Sequence, residues 1–247
     1  MRSPRKRWRK VAVAALVVAG LAGLAVVALR AALDRVPGFY AAALALPAVE
    51  QAAAGEELER NIVAIHNEVR DRHRWSAVFT EAQVNGWLAA DLPEKFPHML
   101  PPDLHDPRVA FRPNQLQIAC QYGRPSGTRV VSLTLEVQLG EEPNTLAVRI
   151  RGARAGWVPL PLRPLLDRVT EAVQFGELPI RWVQSAGDPV ALITIADGDS
   201  RDGDSGEGAS QFVLEHIEIR SGQLHLAGRA GAPDAAHPAR ASTGPER

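Results

Sequence analysis

The spacing of apolar and polar positions changes several times along the chain, and each change predicts an element. Val11 to Leu29 is a run of nineteen residues drawn only from Val, Ala, Leu and Gly. At about 1.5 Å per residue it makes a helix of roughly 28 Å, close to the hydrocarbon thickness of a bilayer. Arg30 to Pro47 is Ala-rich, with two prolines and the aromatic pair Phe39 and Tyr40. Such a pair suits a membrane–water interface, and a plain connector would look the same. Leu58, Ile62, Ile65 and Val69 then fall at i, i+4, i+7 and i+11, which predicts a helix over 48–72. Thr80 with Gln83 three residues later has the form of a capping box, and Phe79 with Val84 that of a hydrophobic staple. The helix they open should stop before Pro93. Asn85 lies on it, either bonding a neighbouring strand or facing water.

After an expected loop over 93–107 the period becomes two. Val109 and Phe111, then Leu116, Ile118 and Cys120, alternate with smaller or polar residues around a turn at Pro113-Asn114. Val131, Leu133, Leu135, Val137 and Leu139 line one face of the best strand in the chain, and Leu146, Val148 and Ile150 follow the turn at 141–144. Alternation with short sequential turns predicts an antiparallel sheet with one apolar and one wet face. Val158-Pro159-Leu160-Pro161 interrupts it. Leu162, Leu165, Leu166, Val169 and Val173 return to helical spacing and predict a helix over 162–175, the natural cover for the apolar face. Strands are expected at 179–183 and 190–195, and a hairpin at 212–228. Val109 to Ala119 lines up with Ile217 to Ala227 at an offset of 108, matching Arg112 with Arg220, Gln115 with Gln223 and Leu116 with Leu224. A duplication and the convergence of two hairpins are both open explanations.

Composition sharpens this picture at the N-terminus. The 247 residues carry 28 basic and 28 acidic side chains, so the net charge is zero and a strongly basic nucleic-acid binder is not expected. Six of the basic residues lie in Met1–Lys10, which leaves 22 basic against 28 acidic residues, a net of −6, for the rest. Six cations flanking a nineteen-residue apolar run read as an uncleaved signal anchor, with residues 1–10 cytoplasmic and the bulk of the chain extracytoplasmic. A cleaved signal peptide competes, with Ala43-Leu44-Ala45 as a small-x-small site, but that site lies well past the apolar run. The organisation expected is a basic segment 1–10, a transmembrane helix 11–29, a helical stalk 30–74, an α+β domain 75–196, an acidic flexible linker 197–210, a β-hairpin 211–229 joining the domain, and a disordered tail 230–247. The fold class is α+β: a membrane helix and stalk, then a mainly antiparallel curved sheet packed on two amphipathic helices.

Catalytic signatures are missing. The sequence has no Gly-x-Ser-x-Gly, no phosphate-binding Gly-Lys-Ser/Thr, no His-Glu-x-x-His and no dinucleotide fingerprint, so neither an enzyme nor a cofactor is expected. Cys120 falls on an apolar strand face and reads as an inert thiol. His66 with His73, and the loop cluster His98, Asp103, His105 and Asp106, lack the spacing of a metal site. The acids of 197–210 do not match a calcium loop.

The order of a membrane anchor, Phe79-Thr-Glu-Ala-Gln-Val-Asn-Gly-Trp-Leu, amphipathic strands, Gly156-Trp-Val-Pro-Leu-Pro-Leu and Leu178-Pro-Ile-Arg-Trp-Val resembles the uncharacterised single-pass bacterial envelope proteins of the YpmS-like kind. The similarity covers roughly residues 75–195 and rests on structural punctuation. It implies a location and a fold but no activity.

Two functions follow as expectations. In the first, the sheet and helix hold an acyl chain or another apolar ligand beside the bilayer. The candidate apolar groove is lined by Leu133, Leu135, Val137, Leu162, Leu166, Val169 and Val173, with its entry near Pro159–Pro161. In the second, the sheet edge or its wet face, with Arg149, Arg151 and Arg154, docks an envelope protein or anionic headgroups. Either requires the stated topology. A reporter active only in the cytoplasm, fused after Arg247, should be silent, and activity there would reverse the orientation.

Overall fold

The computed structural model describes residues 21–71, 74–123, 128–161, 180–185, 188–195 and 212–230. The basic segment, residues 11–20 of the apolar run, the helix expected at 162–175, the acidic linker and residues 231–247 lie outside them. In chain order the elements are α1 (helical residues 21–33), α2 (Gly38–Leu44), α3 (Ala48–Asp71), β1 (Arg74–Thr80), α4 (Glu81–Lys95), β2 (Leu104–Arg112), β3 (Gln115–Tyr122), β4 (Arg129–Leu139), β5 (Thr145–Ala155), β6 (Val158–Pro159), β7 (Ile180–Ser185), β8 (Asp188–Thr194), β9 (Phe212–Arg220) and β10 (Gln223–Ala230). The protein is α+β with antiparallel sheets. One sheet has the order β2-β3-β4-β5-β8-β7, with the short β6 hydrogen-bonded to β5; the other has the order β1-β10-β9. Among the described residues no helix is long and apolar enough to cross a membrane.

The alternating segments form the strands expected of them, and their registers keep the apolar residues together. Leu116 pairs with Leu135, and Leu135 with Ile150. Directly opposed residues share a face, so Val109, Phe111, Leu116, Ile118, Val137, Leu146 and their neighbours line one side of the large sheet. The small sheet packs on that side. Val109, Phe111 and Ile219 form one buried cluster, against which Val84, Leu88, Leu116, Ile118, Val137 and Leu224 pack. Leu58, Trp75, Ala77, Phe79 and Leu214 form a second cluster between the helices and the small sheet.

Several elements differ from expectation, each for an identifiable reason. Residues 74–80 form a strand with Trp75, Ala77 and Phe79 buried, because β10 offers them an edge that only the fold brings near. The hairpin 211–229 therefore joins the domain through a separate sheet. β2 begins at Leu104 and runs through Pro107, where the ladder skips between His105 and Arg108 and Asp106 takes a positive φ of 49°. Helix α4 continues through Pro93 to Lys95; the proline lies in the last turn and removes one N–H, while Phe96 N still donates to Leu92 O at 3.0 Å. The segment 30–74 is not a free stalk. Helix α3 lies along α4 and against β1. The two helices cross at Gly55 and Gly86, where a Cβ on Gly86 would stand 2.3 Å from Gln51 O. Leu58 is buried there and Ile65 and Val69 pack on the same cluster, whereas Ile62 is turned outward.

The capping box forms as the spacing predicts: Gln83 N donates to Thr80 Oγ1 at 3.2 Å and Thr80 N to Gln83 Oε1 at 2.9 Å. It aims α4 along the outer edge of β2. Asn85 donates through Nδ2 to Val109 O at 2.9 Å and accepts from Val109 N at Oδ1 at 2.7 Å. Of the two readings of Asn85, strand bonding is the one realised. Phe111 N donates to Glu81 Oε2 at 2.9 Å, and Phe111 O accepts from Gly222 N at 3.1 Å.

The matched hairpins meet at their tips. Asn114 N donates to Ile219 O at 2.9 Å, as Gly222 N donates to Phe111 O. Since 222 − 114 and 219 − 111 are both 108, each bond is the other with its partners exchanged. Asn114 and Gly222 both have positive φ, 58° and 75°. β3 pairs with β4 through Leu116 as β10 pairs with β1 through Leu224. The offset of 108 thus corresponds to a local two-fold arrangement of two three-stranded units.

Asn85 is 4% exposed and Val109 7%. Asn85→Ala leaves a buried N–H and a buried C=O without partners, at about 1–3 kcal/mol each. Chemical denaturation of the full chain in mild detergent should show a loss of about 2–5 kcal/mol. A loss under about 0.5 kcal/mol, the range of surface changes, would mean that the edge is open to water.

Candidate functional site

The apolar face of the large sheet extends past both core clusters. Beyond the part that β9 and β10 cover, Val131, Leu133, Leu135, Ile150, Ala153 and Ala155 continue the same face toward the turn between β5 and β6. Leu135, Ile150, Ala153 and Ala155 are buried and Leu133 is half-buried. Of the candidate groove residues, Leu133 and Leu135 belong to this half of the face, while Val137 packs into the Val109–Phe111–Ile219 cluster. Leu162, Leu166, Val169 and Val173 lie outside the described residues.

Helix α1 ends against that turn. Gly156 takes φ 59°, and a Cβ there would stand 2.4 Å from Ala32 O, so only glycine permits the approach. Its N–H donates to Val130 O, and Trp157 N donates to Ala32 O, both at 2.9 Å. The Arg35 guanidinium lies over the Trp157 ring, 4.7 Å from its centre, and Arg129 reaches Asp34 at 3.9 Å. Trp157 itself is 64% exposed. Upstream, residues 21–31 are exposed all round the helix, although Leu21, Leu24, Val26, Val27 and Leu29 are among them.

Beyond the turn of the chain at Pro37, α2 folds back onto the opposite face of β2. Tyr40 is fully buried and donates to Asp106 O at 3.0 Å, so it is a packing residue and not an interfacial aromatic. Burial pushes its pKa up to about 12, and the Asp106 charge acts in the same direction. Arg108, next to it, is 4% exposed; its Nη1 donates to Pro107 O at 2.7 Å and its Nε is buried without a partner. Burial pulls its pKa down, with Asp106 opposing. Cys120 is held on the other face, and burial pushes its thiol up to about 11, which leaves it protonated and unreactive at neutral pH.

The wet face carries its own counterions. Arg151 bridges Glu136 at 2.7 Å and Asp188 at 2.9 Å, Arg149 approaches Asp188 at 3.6 Å, and Arg181 meets Glu142 at 2.7 Å. Three cations face three carboxylates here. Among the described residues, Arg149 and Arg151 are therefore tied to their own sheet and do not form a free cationic patch, and Arg154 is exposed beside this network. A shallow open depression of about 200 Å³ lies beside Arg181, among Glu142, Thr145, Ile180, Leu192 and Thr194. His105 and Asp106 fall on β2, and among the described residues no three His, Cys, Asp or Glu side chains are grouped for a metal ion.

The sequence did not single out Trp157, Arg35 or Gly156 as partners of the apolar run. The usable signal was a Gly-Trp pair directly before a proline-broken segment, which marks a turn that exposes an aromatic ring.

The Tyr40 phenol is raised in the folded chain, so its contribution to stability is complete below pH about 10 and is lost as pH rises through about 12. In a Tyr122→Phe background the tyrosinate absorbance of the folded chain should therefore rise near pH 12 and not near pH 10. Titration near pH 10 with the fold intact would show that Tyr40 is open to solvent. Tyr40→Phe should remove this alkaline loss.

No family model, no curated protein and no solved structure matches the chain.

Proposed function

We propose that this protein is a membrane-anchored, extracytoplasmic, non-enzymatic protein that holds an acyl chain or another apolar ligand next to the bilayer, without a cofactor. One observation carries the reading: the apolar half-face of the large sheet ends at the Gly156–Trp157 turn, on which the apolar helix also ends. If Val11–Leu29 spans the inner membrane, that end of the sheet is the end nearest the lipid. The entry at Pro159–Pro161 follows the docked turn within a few residues, so a chain leaving the bilayer would pass Ala155 and Val131 and then reach Leu133 and Leu135. The basic N-terminal flank supports a cytoplasmic N-terminus, and the resemblance to YpmS-like envelope proteins points the same way.

The full chain, extracted in mild detergent and studied by native mass spectrometry, should carry lipid. Leu133→Trp, at a half-buried position, and Ala153→Trp, at a buried one, fill the half-face. Each should lower the lipid-bound fraction while circular dichroism and membrane retention stay unchanged. If the wild-type chain carries no lipid, the carrier reading falls. The alternative is then an envelope scaffold that docks a protein partner through its sheet, where β7 pairs only with β8 among the described residues.

A further inference from the structure

We propose that the β5–β6 turn is a headgroup-level contact, by which Trp157, flanked by Arg35 and Arg129, seats that end of the sheet on the phospholipid surface. The inference rests on the anchoring in the preceding reading and adds the orientation of the sheet. The apolar run ends at Leu29, and Ala32, whose carbonyl accepts from Trp157 N, is three residues further on. Three residues of helix rise about 4.5 Å. The headgroup layer occupies roughly 5–8 Å on each side of the hydrocarbon core. Trp157 is therefore held inside that layer by a backbone bond to the anchor itself.

Its chemistry fits that depth. An indole ring left 64% exposed on a two-residue turn is costly in water, but its amphipathic ring suits the headgroup boundary. Val36, 46% exposed, lies directly beyond Arg35 on the same connection. The charges complement phosphate: Arg30, Arg35 and Arg129 lie near the end of the helix, and among the described residues the ion pair there is that of Arg129 with Asp34. On the wet face, by contrast, Arg149, Arg151 and Arg181 are paired with carboxylates of their own sheet and are not free to bind phosphate. The occupant is the bilayer surface because the exposed apolar helix runs continuously into this turn. A protein partner seated here would have to share the site with the membrane.

The test uses the full chain in nanodiscs of phosphatidylcholine and phosphatidylglycerol, with Trp8→Phe removing the other tryptophan beside the apolar run. Emission lost on adding Trp157→Phe is the Trp157 signal. A nitroxide on the lipid headgroup should quench most of that signal, and aqueous iodide little of it. Gly156→Ala, which drives a Cβ into Ala32 O, should shift the emission to the red and raise iodide quenching. Strong iodide quenching of the parent with no effect of the headgroup nitroxide overturns the contact. If that chain still resists alkaline carbonate extraction from liposomes, anchoring stands and only the seated turn falls. If it is extracted, the anchoring reading falls with it.

Discussion

The outer edge of β2 is where the architecture is decided. An edge strand presents backbone donors and acceptors outward, and left bare it invites another strand. Here the outward groups of Val109 and Phe111 are taken by three residues from two elements distant in sequence: Asn85 and Glu81 from α4, and Gly222 from the tip of the β9–β10 hairpin. The same bonds set where α4 lies and how the small sheet meets the large one. They also place Val84 and Leu88 over Val109 and Phe111, so the polar seal and the apolar cluster behind it depend on each other. Glu81 reaches both Phe111 N and, at 3.3 Å, the Arg112 guanidinium, so its charge is compensated where it is partly buried. Helix α4 can take this position only because Gly86 lets α3 close over its outer side.

This coupling explains which features could be read from the chain. Local signals were legible: the capping box at Thr80 and Gln83, the alternation of β4 and β5, and the turn at Pro113-Asn114. Each is carried by residues a few positions apart and can be read without knowing which distant segment it will meet. The features that escaped depend on long-range pairing. Arg74–Thr80 is a strand because β10, nearly 150 residues later, pairs with it from Arg229 to Gln223. Two equal readings of Asn85 could not be separated without knowing that an edge carbonyl and amide would stand 2.7–2.9 Å away. The offset of 108 was visible as a text match, but only the exchanged bonds at Asn114 and Gly222 give it a geometry. For the candidate site, Leu133 and Leu135 lie on the part of the face that runs to the end of the apolar helix, whereas Val137, on the same face, is claimed by the core cluster. Sequence alternation assigns a face but does not say how far along the strand the next layer extends.

The connection between apolar helix and sheet is the other long-range feature, and magnitudes show what holds it. The Asp34–Arg129 pair is 3.9 Å apart and both side chains are largely exposed, so its contribution is about 0–1 kcal/mol and is screened by salt. The exposed Arg35–Trp157 contact adds about 0.5–1 kcal/mol. Complete burial of an aromatic side chain such as Tyr40 is worth more, about 1.5–3 kcal/mol, and its hydroxyl keeps a partner in Asp106 O. Apolar packing of α2 therefore carries the attachment, and the charges around the turn fix its direction. An attachment of that kind should persist at high ionic strength. Arg35 and Arg129, held at the turn by these weak contacts among the described residues, keep exposed guanidinium groups beside the end of the apolar helix.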